Sequence, residues 1–194
     1  MPVQEQYFPG TALLLEDLSP EHGFAVLEPF FKATSGLSLS QVCGLTGLQG
    51  STIQNWVKRG WVSKPQGKRY NETQLARILI INLLRDSMQL ERIAQLMAYL
   101  NGSVEDRSDD IISDSQLYRA LCSLVLQLDP ANFSRKGLEE LLKQKLKGYE
   151  GPTHDAPRRL FAALRVMALA YLSAKLKKES EEQCAKLLDF PSAE

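Results

Sequence analysis

Reactive side chains are scarce in this sequence. Its 194 residues hold two histidines, His22 and His154, and three cysteines, Cys43, Cys122 and Cys184, all far apart. No zinc-ligand spacing and no disulfide framework can be written from them. A Ser/His/Asp or Cys/His relay requires a long-range meeting that no local pattern signals. The cysteines are expected as small buried hydrophobes, the usual state of a free thiol. The adjacent acids Asp109 and Asp110, and Glu139 and Glu140, point to different sides of a helix or strand, so they are expected to solvate a surface rather than hold a metal. The chain is therefore expected not to be an enzyme and to need no cofactor or metal.

Long apolar runs are also missing. The richest stretch, Leu160 to Leu176, is interrupted by Arg165 and Lys175, short of the roughly 18 uninterrupted residues of a membrane helix. Met1 to Thr11 carries Glu5 but no Lys or Arg, so the positive start of a signal peptide is absent. No membrane partner and a cytoplasmic location are expected. No internal repeat or low-complexity tract is present, which excludes solenoid and fibrous classes. Gly44, Gly47 and Gly50 imitate a nucleotide loop, but no hydrophobic strand precedes them and no Lys-Ser/Thr follows.

Net charge is zero, so basicity of the whole chain gives no argument for nucleic acid. Its distribution does. From Pro29 to Asn71 there is no Asp or Glu, while Lys32, Lys58, Arg59, Lys64, Lys68 and Arg69 are present. Glu105, Asp106, Asp109, Asp110 and Asp114 then crowd a stretch relieved only by Arg107. A positive module followed by an acidic connector is the expected layout.

Punctuation divides the chain into residues 1–36, an arm with a short docking helix over Phe24–Ala33; residues 37–102; an acidic linker at 103–114; and a helical C-terminal module at 115–194. In the second block Leu39, Val42, Cys43 and Leu45 fit a short helix closed by Gly47. Leu48, Ile53, Trp56 and Val57 fit a second helix ending near Gly60, and two short helices about a Gly-containing turn make a helix-turn-helix pattern. Ser63 to Asn71, with Pro65 and Gly67, suits a small β-hairpin. Thr73 is the expected cap of a helix carrying Leu75, Ile78, Leu79 and Leu83, and another helix runs from Leu90 to Leu100. Helices are expected over Ser115–Leu128, Ser134–Lys147 and Ala156–Leu188, each stopped by Pro or Gly signals or a loss of pattern. The fold class is all-α, mainly helical: a winged helix-turn-helix with a small β-hairpin wing, plus the helical C-terminal module.

If Ser51 to Lys58 is a helix with Ile53, Trp56 and Val57 inside, then Ser51, Thr52, Gln54, Asn55, Lys58 and Arg59 are left outside. Amides that pair with adenine edges, hydroxyls near a helix start and cations for guanine or phosphate are what major-groove reading requires. Lys64, Lys68, Arg69 and Tyr70 on a projecting hairpin would meet the backbone.

At these residues the sequence resembles the DNA-binding domain of MerR-type transcriptional regulators. LSLSQVCGLTG, STIQNWVKRGWV, KPQGKRYN, TQLARILIINLLRD and MQLERIAQLM match, in order, its first helix and turn, recognition helix, wing and two further helices, over about residues 37–100. More narrowly, the chain is similar to an uncharacterised bacterial family joining such a domain to a helical C-terminal region. The resemblance implies a winged helix-turn-helix, with Thr52, Gln54 and Asn55 at the exposed recognition sites and Lys68, Arg69 and Tyr70 in the wing. The chain departs from the family pattern at Gln49, where Ser or Thr commonly caps the helix, and at Gln54 and Asn55, where Arg and an aromatic are usual.

The expected function is a transcriptional regulator that binds double-stranded DNA with sequence specificity. The expected partners are DNA, a second copy in a homodimer, and an effector or protein at the C-terminal module. The alternative is a protein-interaction adaptor using the helix-turn-helix as scaffold, favoured by zero net charge and the acidic connector.

Overall fold

The computed structural model describes residues 7–14, 31, 35–104, 106 and 108–188. The expected arm is therefore seen only over residues 7–14. The docking helix expected at Phe24–Ala33, with Lys32, lies outside the described residues except for Phe31, which packs on the core. His22, Glu105 and Arg107 lie outside them too. Among the described residues the fold is mainly α, with seven α-helices and one two-stranded antiparallel sheet.

Strand β1 (Leu37–Ser38) runs into α1 (Leu39–Thr46), and Ser38 caps that helix reciprocally with Gln41: Gln41 N donates to Ser38 Oγ at 3.3 Å and Ser38 N to Gln41 Oε1 at 2.8 Å. Gly47 closes α1 at φ +70°, in the left-handed region a side chain resists, with its N–H on Cys43 O at 2.9 Å. Thr46 stitches the turn, donating to Val42 O at 2.7 Å and accepting from Leu48 N at 3.2 Å. Helix α2 (Gly50–Lys58) starts two residues later, and the side chain of its N-cap residue Gln49 makes no capping bond.

The expected hairpin over 63–71 is realised only at its tip. Gln66 and Arg69 form a single antiparallel bridge around Gly67 and Lys68, both at positive φ (55° and 62°) as the tightest hairpin turns demand. Beyond that bridge, β2 (Arg69–Tyr70) pairs with β1, Leu37 opposite Tyr70, and not with residues 63–65. Pro65 has no N–H to contribute to a ladder there.

Helix α3 (Glu72–Leu84) is the hub. Its cap is Asn71 rather than Thr73, because Asn71 and Gln74 bond each other's backbone N–H at 2.9 and 2.8 Å. Leu75, Ala76, Ile78, Leu79, Ile80, Ile81 and Leu84 are all buried, so α3 is covered on every side, and it packs most extensively on α5. Helix α4 (Leu90–Asn101) follows, with Gly102 ending it at φ +55°. Helix α5 (Asp114–Val125) is capped by Ser113 and ends earlier than the expected Leu128. A 3-10 turn (Pro130–Asn132), α6 (Arg135–Lys145) and α7 (Ala156–Leu188) complete the chain.

The 33 residues of α7 span about 50 Å at 1.5 Å per residue. Its buried stripe, Leu160, Leu164, Met167 and Ala168, stops at Leu172. The core is continuous through the acidic stretch, where Ile111, Ile112 and Asp114 are buried. Residues 7–14 are seated on it: the Tyr118 hydroxyl donates to Pro9 O at 2.6 Å, and Ala12 N donates to Leu45 O at 2.9 Å beside the α1 to α2 turn. No helix among the described residues is long and apolar enough to cross a membrane. The expectation of three buried cysteines holds for Cys122 only; Cys43 is half-buried and Cys184, on the far end of α7, is exposed.

Candidate nucleic-acid interface

Helix α2 divides as its sequence dictates. Ile53 and Trp56 are fully buried and anchor it, while Ser51, Gln54, Asn55, Lys58 and Arg59 are exposed. Thr52 is partly covered, being one residue off the outward face. Past α2, Gly60 turns the chain at φ +72° and Trp61 N donates back to Trp56 O at 2.9 Å, which locks the exit of the helix.

The exit leads to residues 63 and 64, which α3 holds in place. Gln74 Nε2 donates to Ser63 O and to Lys64 O, both at 2.9 Å. Lys64 stands exposed ahead of the tight turn, and Lys68 is exposed at its tip. Arg69 is exposed but tethered, with Nη1 donating to Gly36 O at 3.0 Å.

Tyr70 corrects the sequence reading. Successive residues of a strand face opposite ways, so when Arg69 faces out Tyr70 faces in. It is 3% exposed in the core, and burial raises its phenol above the ordinary value, with the nearby Cys43 adding to that effect. It presents no surface for a phosphate.

The acid-free stretch of sequence is not wholly acid-free in space. Glu91 of α4 meets Arg59 at 3.2 Å, and the Arg59 guanidinium also lies 5.0 Å from the centre of the Trp61 ring. Arg59 is thus partly neutralised and held at the end of α2. Lys58, Lys64 and Lys68 make no ion pair among the described residues, and neither does Arg69, whose tether is to a neutral carbonyl, so all four keep their positive charge on this surface. Among those residues no group of His, Cys, Asp and Glu is placed to hold a metal ion.

Sequence reasoning missed a buried polar cluster behind the surface. Arg77 of α3 and Asp114 of α5 lie 2.9 Å apart with side chains 6% and 11% exposed. Asn101 adds to it, donating to Ile112 O at 2.6 Å and to Asp114 Oδ1 at 3.4 Å. Asp114, expected to belong to a solvated connector, is therefore a structural acid. The signal was Arg77 itself, a charge inside the apolar run of α3, where burial without a partner is prohibitive.

A domain of unknown function (DUF1836) matches residues 34–121. The match covers both candidate DNA-facing segments and continues through the acidic stretch into α5, so it takes in the Arg77 and Asp114 pair. The "Uncharacterized protein YkrK" of Bacillus subtilis (strain 168) is 32% identical over 117 residues, 56% of this chain and 50% of that protein. The chain thus spans about half the length of this relative. No solved structure matches the chain significantly. The chain is similar, over its two short helices, sheet and central helices, to the family described by that domain of unknown function.

Proposed function

We propose that this chain is a cytoplasmic, non-catalytic transcriptional regulator that binds double-stranded DNA through a winged helix-turn-helix over residues 37–102. Helix α2 is the recognition helix and the turn at 66–69 is the wing. The observation that carries the reading is the exposed face of α2: two amides, Gln54 and Asn55, and Lys58, on a helix fixed from behind by Ile53 and Trp56. Such a face has the donors, acceptors and charge that base edges and phosphates require. Lys64 and Lys68 supply further charge next to it in the chain.

The resemblance to MerR-type domains agrees with this assignment. A second copy is part of the proposal, since one small module offers limited contact area and two present a pair of recognition helices to a palindromic site. Support comes from α7, where Val166, Leu169, Leu176 and Leu187 are exposed on the side opposite the buried stripe.

The two kinds of contact separate in a mutational test. Gln54→Ala or Asn55→Ala should change which sequences are preferred, at about 1–3 kcal/mol for a lost bidentate base contact. Lys64→Ala or Lys68→Ala should weaken all sequences alike and lower the salt dependence. Gel-shift titrations against a set of duplexes read both. Unchanged binding in all four variants would remove α2 and the turn from the interface.

A further inference from the structure

An open cleft of about 440 Å³ lies between α3, α4 and the residues that follow α2. Its walls are mostly apolar, with Ile81, Ala94, Met97 and Trp61 among them. Arg77 also lines it. This arginine is 5% exposed, and its one ion pair among the described residues is made by the enclosed Nε, 2.9 Å from Asp114 Oδ2 but not aligned as a directed hydrogen bond. A guanidinium carries five N–H donors in a planar fork. Nε alone is enclosed without a directed bond, and the Nη1 and Nη2 donors make no hydrogen bond to another side chain or backbone group among the described residues, which leaves them for a ligand.

We propose that the cleft binds a small carboxylic acid with an apolar body, its carboxylate on the Arg77 fork and its hydrocarbon or ring against Ile81, Ala94, Met97 and Trp61. The volume falls in the range of small-molecule sites, which are largely apolar with a few placed polar groups. Planar carboxylates suit the fork, and with Arg77 already paired to Asp114 a single negative charge is tolerated better than two. Asp114 already shares Arg77 and Glu91 stands in the lining, so a phosphate dianion would meet two carboxylates. Trp61 follows α2 directly and Arg59 bridges to Glu91 beside it, so the ligand sits against the exit of that helix. The site itself does not depend on α2 binding DNA.

The test is calorimetric titration of the full chain with phenylacetate and with hexanoate, using phenylacetamide as the neutral isostere, while Trp fluorescence is followed. Saturable binding of one carboxylate per chain is expected, with a change in tryptophan emission. The amide should bind about ten- to a hundredfold more weakly, the value of hydrogen bonds to a charged group. Ala94→Phe fills the cleft from α4 without touching the ion pair and should abolish binding while the helical signal and melting curve stay as in the parent. The proposal is overturned if neither carboxylate gives saturable heat, if the amide binds as well as phenylacetate, or if a folded Ala94→Phe chain keeps the parent affinity.

Discussion

Asp114→Ala is the perturbation the structure makes most quantitative. The substitution leaves the Arg77 guanidinium charged at 6% side-chain exposure with its ion-pair partner gone, and removes the Asn101 contact at 3.4 Å. Breaking one side of a buried pair costs about 3–5 kcal/mol, because an uncompensated charge remains out of water. For a chain of this size each kcal/mol lowers the melting temperature by about 2–4 °C, so a fall of about 6–20 °C is expected. Replacing both partners with apolar residues of similar shape, Arg77→Met with Asp114→Leu, removes the stranded charge and should cost far less than Asp114→Ala, or stabilise the chain. Urea titration monitored by circular dichroism measures all three chains, provided that each unfolds in one transition. Because the pair ties α3 to α5 within a continuous core, the parent should show that single transition. A loss under about 1 kcal/mol in Asp114→Ala, or a double variant as damaged as the single, would refute the reasoning.

Further outcomes follow from particular positions. Gly47→Ala places a side chain at φ +70° and should cost about 1–2 kcal/mol by the same urea titration, although the added Cβ meets only Ala12 at 3.6 Å. Alkaline pH should destabilise the chain: burial pushes the Cys122 thiol up from 9.0 to about 12 and holds the Tyr118 phenol well above 10.0. Folding therefore favours the neutral forms, a contribution fully present below about pH 9 and lost as pH rises towards 12. Melting temperatures should be flat up to pH 9 and fall above it, and Cys122→Ala should make that fall shallower.

Local chemistry was legible in the sequence wherever one residue decides the backbone. Gly47 ends α1 as its spacing implied, and α7 occupies Ala156–Leu188, the segment its apolar pattern marked out. The inward side of α2 was readable from Ile53 and Trp56, since a helical period of 3.6 leaves them on one face. What failed to read were contacts between distant segments. Tyr70 turned inward because β1, thirty-odd residues earlier, supplies its strand partner. Glu91 reached Arg59 across 32 residues, so a charge map along the chain overstated the positive surface. Asp114 looked like one more acid in an exposed run until Arg77 claimed it. Each of these is set by a contact between segments far apart in sequence, which no local pattern records.

The measurement that bears most directly on the central claim is binding of the full chain to genomic duplex DNA over a series of salt concentrations, with the retained DNA sequenced. Four cations per chain without an ion pair, Lys58, Lys64, Lys68 and Arg69, give eight in a dimer, and at about 0.9 counterions per neutralised phosphate the log–log slope should be about −7. The account predicts that slope together with an enriched palindromic sequence. A flat salt response, or no retention of any duplex at low salt, would contradict it and favour a protein-binding role for the same helices.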